Sequence, residues 1–190
     1  QNANALRWGT LYNFGFTANS APANSAATIG LFAPGTGGEL QVSVKGPCGA
    51  PVCGSYDYCS VNANSTGNGA VLGTAGSYSI SSNDLQFFAY FLPANQFGIV
   101  YYGTTQNEVP FGNGNRCVGG SLHRLPIVQS SMWGDMIYTL DNTNPPAPSG
   151  QLTAGSSWNF QYWFRDPNTG ANFNLSNGHS ITFCPRSSGG

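Results

Sequence analysis

An antiparallel all-β sandwich of the jelly-roll or Greek-key type is the fold that this sequence predicts. Apolar and polar residues alternate over short runs, and Gly, Pro and Asn pairs separate those runs. No long stretch carries a helical apolar stripe with caps. Roughly ten short strands joined by such turns imply two packed sheets, and 190 residues suit one sandwich.

The first predicted strand spans residues 6–16. Leu6, Trp8, Tyr12, Phe14 and Phe16 share one face, while Arg7, Gly9, Asn13 and Gly15 lie on the other and Leu11 is the exception. Further strands are predicted over 28–32, 39–45, 70–75, 84–91, 97–103, 121–129, 134–140, 156–165 and 179–184. Turn signals fall at Pro34-Gly35, Asn113-Gly114, Pro145-Pro146, Asn168-Thr169-Gly170 and Asn177-Gly178. Residues 46–69, rich in Cys, Gly, Asn and Ser, read as a long loop pinned by covalent bonds. Residues 141–155 carry three prolines and lead into the aromatic strand at Trp158. The chain thus divides into an N-terminal arm with the first strands, 1–45, and a sandwich, 46–190.

Charge is scarce. Asp, Glu, Lys and Arg make up 7% of the residues and the net charge is −1, against about 25% charged residues in an ordinary domain. A chain without a basic footprint is a poor nucleic-acid partner. It also has little self-repulsion to keep copies apart. The 12 Phe, 9 Tyr and 4 Trp supply the apolar area for a core. No apolar run reaches bilayer-spanning length, so no membrane insertion is expected. The opening Gln1-Asn2-Ala3 has the look of an end left by signal cleavage.

Cysteines stand at 48, 53, 59, 117 and 184, and neither His123 nor His179 accompanies them at metal-ligand spacing. Disulfides in an oxidising, extracellular compartment are the expected account. An odd cysteine suggests an intermolecular bridge or a buried free thiol. No metal or cofactor is expected.

From about residue 53 onward the chain resembles the cysteine-bearing β-sandwich domain of secreted planctomycete-type bacterial proteins. The resemblance rests on Cys53-Gly54, Cys59-Ser60-Val61-Asn62, Pro93-Ala94-Asn95-Gln96-Phe97-Gly98 and the run from Pro110 to Gly120 with Cys117. Arg124-Leu125, the run from Trp158 to Pro167, Asn174-Leu175-Ser176 and Phe183-Cys184-Pro185 complete it. It implies secretion and a shared fold, and no activity. Both Cys117 and Cys184 lie in the matching blocks beside strand-like sequence, so a bridge between them is expected. Cys53 with Cys59 is the natural second pair, and Cys48 with Cys59 the alternative. The first choice leaves Cys48 unpaired or intermolecular.

Arg165-Asp166-Pro167 ends the most aromatic strand. Asp166 reads as a turn cap in preference to an acid or calcium ligand, with Arg165 paired to a nearby carboxylate or carbonyl. Glycoside hydrolysis needs two carboxylates flanking one bond, and Glu39, Asp57, Asp84, Glu108, Asp135 and Asp141 show no spacing that forces convergence. Neither histidine belongs to a nucleophile-elbow pattern. Ring faces at Trp133, Trp163, Tyr56, Tyr58, Tyr101 and Tyr102 are candidates for sugar stacking, while Trp8 and Trp158 are expected in the core. Asn64 and Asn174 are left open as glycan acceptors.

The function expected from these features is an extracellular structural subunit of a fibre, appendage or surface coat. Its partners would be other copies of itself, joined by strand pairing: the 6–16 strand either pairs within its own sandwich or leaves it to complete a neighbour's sheet. A glycan-binding adhesion module is the first alternative. A hydrolase whose carboxylates meet only in the fold is the second.

Overall fold

The computed structural model describes residues 22–30, 39–47, 53–167 and 169–184. The expected strand at Leu6, Trp8, Tyr12, Phe14 and Phe16 lies outside the described residues, as does Cys48. Contacts divide the chain into two units, Gln1–Ala50 and Pro51–Gly190.

In the first unit, β1 (Pro22–Gly30) and β2 (Glu39–Pro47) form an antiparallel ribbon from Pro22↔Pro47 to Gly30↔Glu39. Alternation sorts its side chains. Leu40, Val42 and Val44 share one face, whereas Asn24 and Thr28 share the other with Gln41, Ser43 and Lys45.

The second unit is the antiparallel β-sandwich. Its strands are β3 (Gly54–Tyr58), β4 (Val71–Ala75), β5 (Gln86–Tyr90), β6 (Phe97–Gly103), β7 (Thr105–Phe111), β8 (Gly114–Gly119) and β9 (His123–Gln129). They continue as β10 (Met136–Thr139), β11 (Ser157–Arg165), β12 (Phe173–Leu175) and β13 (Gly178–Thr182). One sheet runs β3-β13-β11-β6-β9, with β12 also paired to β11, and the other runs β10-β5-β4. β12 and β13 flank the same edge of β11, so together they act as one strand interrupted at Ser176-Asn177.

The core fills the space between these sheets. Alternate residues Trp158, Phe160, Tyr162 and Phe164 of β11 meet Phe87 and Ala89 of β5 and Val100 and Tyr102 of β6. The Tyr102 ring stacks on Phe160 at 5.2 Å and its hydroxyl donates to the Gly150 carbonyl at 2.7 Å. Tyr101 and Tyr102, candidates for sugar stacking in the sequence, are both buried. Trp158 is buried as expected.

Residues 54–58, expected inside a loop, form β3 instead, because Ser55-Tyr56-Asp57 pairs with Ile181-Ser180-His179. That pairing also overturns the expected disulfide partners. In the antiparallel register Gly54 meets Thr182, which brings Cys53 beside Cys184, Cα to Cα 5.5 Å, and they are bonded. At the other end of β3, Cys59 is bonded to Cys117, Cα to Cα 6.0 Å, where the Tyr58 hydroxyl donates to the Cys117 carbonyl at 2.9 Å. The expected Cys117–Cys184 and Cys53–Cys59 bridges are absent although the same four cysteines take part. In the chain-entropy picture the observed bridges close loops of 131 and 58 residues and stabilise by about 5 and 4 kcal/mol.

The β7–β8 hairpin turns at Gly112-Asn113, one residue before the expected Asn113-Gly114. Phe111 pairs with Gly114 across it, and Gly112 adopts φ +65°, which suits the first position of a tight hairpin turn.

Candidate functional site

The six-stranded sheet turns its second face away from the core. On β11 that face carries Asn159, Gln161, Trp163 and Arg165, and on β6 it carries Phe97, Ile99 and Tyr101. β9 contributes through an irregularity. Arg124 opposes Tyr101, but the register slips before Ile127 opposes Ile99, leaving Leu125 and Pro126 across from Val100. The extra residue returns Ile127 to the same face as Arg124. Pro126, lacking an amide hydrogen, suits the break in the ladder.

The β7–β8 hairpin folds over part of this face, and Tyr101, Val118 and Leu175 form a small second core beneath it. Gln161 lies at the centre of the covered part, fully buried. Its carbonyl oxygen accepts from the Tyr101 hydroxyl and from the Cys117 amide at 2.8 Å. Its amide nitrogen donates to the carbonyls of Asn115 and Ser176 at 2.8 and 2.7 Å. Burial pushes the Tyr101 phenol well above its ordinary range, against the opposing pull of Arg116.

Beyond the hairpin the face is open. A cleft of about 340 Å³ is lined by Tyr101, Phe111, Arg116, Leu122 and Arg124 over a floor of Ile99 and Trp163. A second cleft of about 380 Å³ shares that floor and adds Phe97, Ile127 and Arg165. Arg116, Arg124 and Arg165 are all the Lys and Arg residues that the sequence holds between 53 and 184. None of them forms an ion pair among the described residues. The Arg116 guanidinium stands 6.0 Å from the Phe111 ring centre, and its Nε is buried without a hydrogen-bond partner. Of the carboxylate or carbonyl expected beside Arg165, no carboxylate pairs with it among the described residues.

The carboxylates of this unit are engaged elsewhere. Asp166 is buried and both its oxygens accept from the Ser65 amide, at 3.1 and 3.2 Å, which pins a distant turn and not its own. Asp84 accepts from the Ser77 amide, Asp135 from the Ser131 hydroxyl, and Asp141 from Thr143 and Asn83. Glu108 accepts from the Ser60 amide, and hydrogen bonds to Ser60 hold its carboxyl below the usual range.

Asp57 reaches His179 Nδ1 at 2.5 Å, while His179 Nε2 lies 3.0 Å from the Thr74 hydroxyl. The order acid, imidazole, hydroxyl matches that of a hydrolytic triad. Here the imidazole is buried between β3 and β4, and the Thr74 hydroxyl is also bonded to Tyr78 at 3.1 Å. None of these residues lines either cleft, and the contact ties the two sheets together. His123 is buried against Tyr102 and Trp158. Tyr56 is exposed as expected, and Trp133 is 84% exposed at a turn tip. Asn64 and Asn174 are buried, so their amides are spent inside the fold: Asn64 donates to the Phe91 carbonyl and Asn174 to that of Ala63.

Sequence reasoning weighed Trp163 and Arg165 separately and passed over Arg116 and Arg124 as a group. The scarcity of cations was the available signal, since three in one unit are few enough to ask whether they converge.

The class defined by fold and covalent structure is a disulfide-bridged, antiparallel all-β sandwich, suited to an oxidising compartment. No helix among the described residues is long and apolar enough to cross a membrane. The chain matches no protein-family model, no curated protein and no solved structure.

Proposed function

We propose that this chain is a secreted structural protein, a subunit of an extracellular fibre or surface assembly held together by strand pairing between copies, without chemistry of its own. The β1–β2 ribbon carries the reading. It pairs only with itself among the described residues, yet its apolar face leaves Leu40 52% and Val44 36% exposed. A lone two-stranded ribbon is marginal in water and needs a third strand or a packed face. A second copy supplies either.

Two features of the sandwich support the same reading. Among the described residues β3 ends the six-stranded sheet with one side unpaired, and a bridge anchors each of its ends, which suits an edge that accepts a strand. The outer face of β4, β5 and β10 carries Val71, Phe88, Tyr90 and Ile137 without a charged residue. Head-to-tail repetition of one donor–acceptor contact does not close, so it builds a filament.

Electron microscopy and light scattering on the full chain test this. Filaments or large oligomers are expected, and Leu40→Asp with Val44→Asp reduces them to single subunits. A wild-type chain that stays monomeric at high concentration in low and high salt overturns the proposal.

A further inference from the structure

We infer that the open face of β9, β6 and β11 binds an anionic oligosaccharide, independently of whether the chain assembles. The segment from 53 to 184 has six carboxylates and three cations, so chance favours no positive site on it. All three cations nevertheless line the paired clefts around Trp163. Each carboxylate is committed to a turn or to His179, and none neutralises an arginine. Three unpaired guanidinium groups beside a low-dielectric aromatic surface are complementary to carboxylate or sulfate, which arginine grips through two parallel N–H donors. The Arg116 guanidinium, beside the Phe111 ring at the first cleft, is one such group.

The floor decides which kind of anion fits. Ile99, Ile127 and the half-buried Trp163 form an apolar strip between Arg124 and Arg165. A sugar ring, with one apolar face and a polar rim, lays that face on such a strip while its charged substituent turns to an arginine. Register sets the ligand's length. Arg124 stands level with Tyr101 and Arg165 beyond Gly98 toward Phe97, with β6 between them. Their Cα atoms are therefore separated by about 13 Å along the strands and about 10 Å across them. A monosaccharide does not span both, whereas an extended oligomer with an acid on successive units does. A nucleic acid would demand a basic stripe along its phosphates, and this unit is net acidic.

Binding of the full chain to a galacturonate oligomer and to a sulfated galactan oligomer, against an uncharged cello-oligomer, tests the inference. A polyglutamate peptide and a single-stranded oligonucleotide serve as other anions. The expected result is binding to at least one acidic sugar, at least tenfold tighter than to the neutral one and weakened by salt. Arg124→Gln with Arg165→Gln, both at exposed positions, lowers that affinity at least tenfold while circular dichroism and thermal midpoint stay unchanged. Equal binding of the neutral oligomer, equal binding of the peptide or oligonucleotide, affinity unmoved by the double variant, or no binding of either acidic sugar overturns it.

Discussion

Asn177 makes to Leu72 both hydrogen bonds that a neighbouring strand would make. Its side-chain oxygen accepts from the Leu72 amide at 2.6 Å and its side-chain nitrogen donates to the Leu72 carbonyl at 3.2 Å. β4 is the last strand of its sheet, so this amide closes an edge that would otherwise leave buried polar groups unpaired. The same residue interrupts β12–β13 and so joins the two sheets at that margin. Asn177→Leu leaves the Leu72 amide and carbonyl without partners and is expected to lower stability by about 2–4 kcal/mol in urea titration. The exposed change Thr139→Ala stays within about 0.5 kcal/mol. Equal midpoints for the two variants count against the role given to Asn177.

Gln161 holds the hairpin to the sheet through four partners. Gln161→Met keeps its bulk while orphaning the Tyr101 hydroxyl and the Cys117 amide, with a loss of about 3 kcal/mol expected. Proteolysis within the β7–β8 hairpin should accelerate before the rest of the chain is cut. A variant as protease-resistant as the parent contradicts the arrangement.

Peptide mapping of the unreduced protein is expected to recover Cys53 linked to Cys184 and Cys59 linked to Cys117. Removing the first pair as Cys53→Ala with Cys184→Ala should cost slightly more than removing the second, about 5 against 4 kcal/mol in the chain-entropy limit. Recovery of a Cys117–Cys184 peptide would refute the pairing.

Tyr102 links the core to alkaline pH. Burial, with the nearby Tyr138 as the lesser cause, pushes its phenol from 10.0 up to about 12. The folded protein therefore holds this proton where the unfolded chain has lost it. Its contribution to stability is complete below pH 10 and disappears as pH climbs through about 12. Urea midpoints should fall steadily over that window, and the fall should be shallower in Tyr102→Phe. Tyr58, Tyr101 and Tyr162 are raised in the same direction by burial. Midpoints that rise with pH in this range would invert the sign.

Much of the architecture was legible from alternation. Leu72, Phe87, Val100, Phe160 and Ile181 all lie in strands that the pattern marks, and all are buried. Ser55-Tyr56-Asp57 was not legible, because a short polar edge strand has no apolar stripe to announce it and is defined by its partner. Missing that strand also misassigned the bridges, since cysteine partners follow from register and not from distance along the chain. The β7–β8 hairpin was hidden for a related reason: β7 has no buried residue, and the buried positions of the hairpin lie on β8, around Cys117 and Val118. The first cleft depended on the second omission, because Phe111 and Arg116 of that hairpin form its wall.

The irregularity at Leu125 and Pro126 makes the chemistry of the open face a matter of counting. Were the ladder continuous, Ile127 would turn inward behind Leu125, and the apolar strip beside Trp163 would lose its far wall while Arg124 kept its place. One added backbone unit thus fixes which side chains neighbour one another there. Deleting Pro126 would remove the extra residue and leave Ile127 opposite Ile99 in a regular ladder, whereas continuous pairing with Pro126 retained would put Pro126 in that place. The open face thus depends on the irregularity for as long as the extra residue is present.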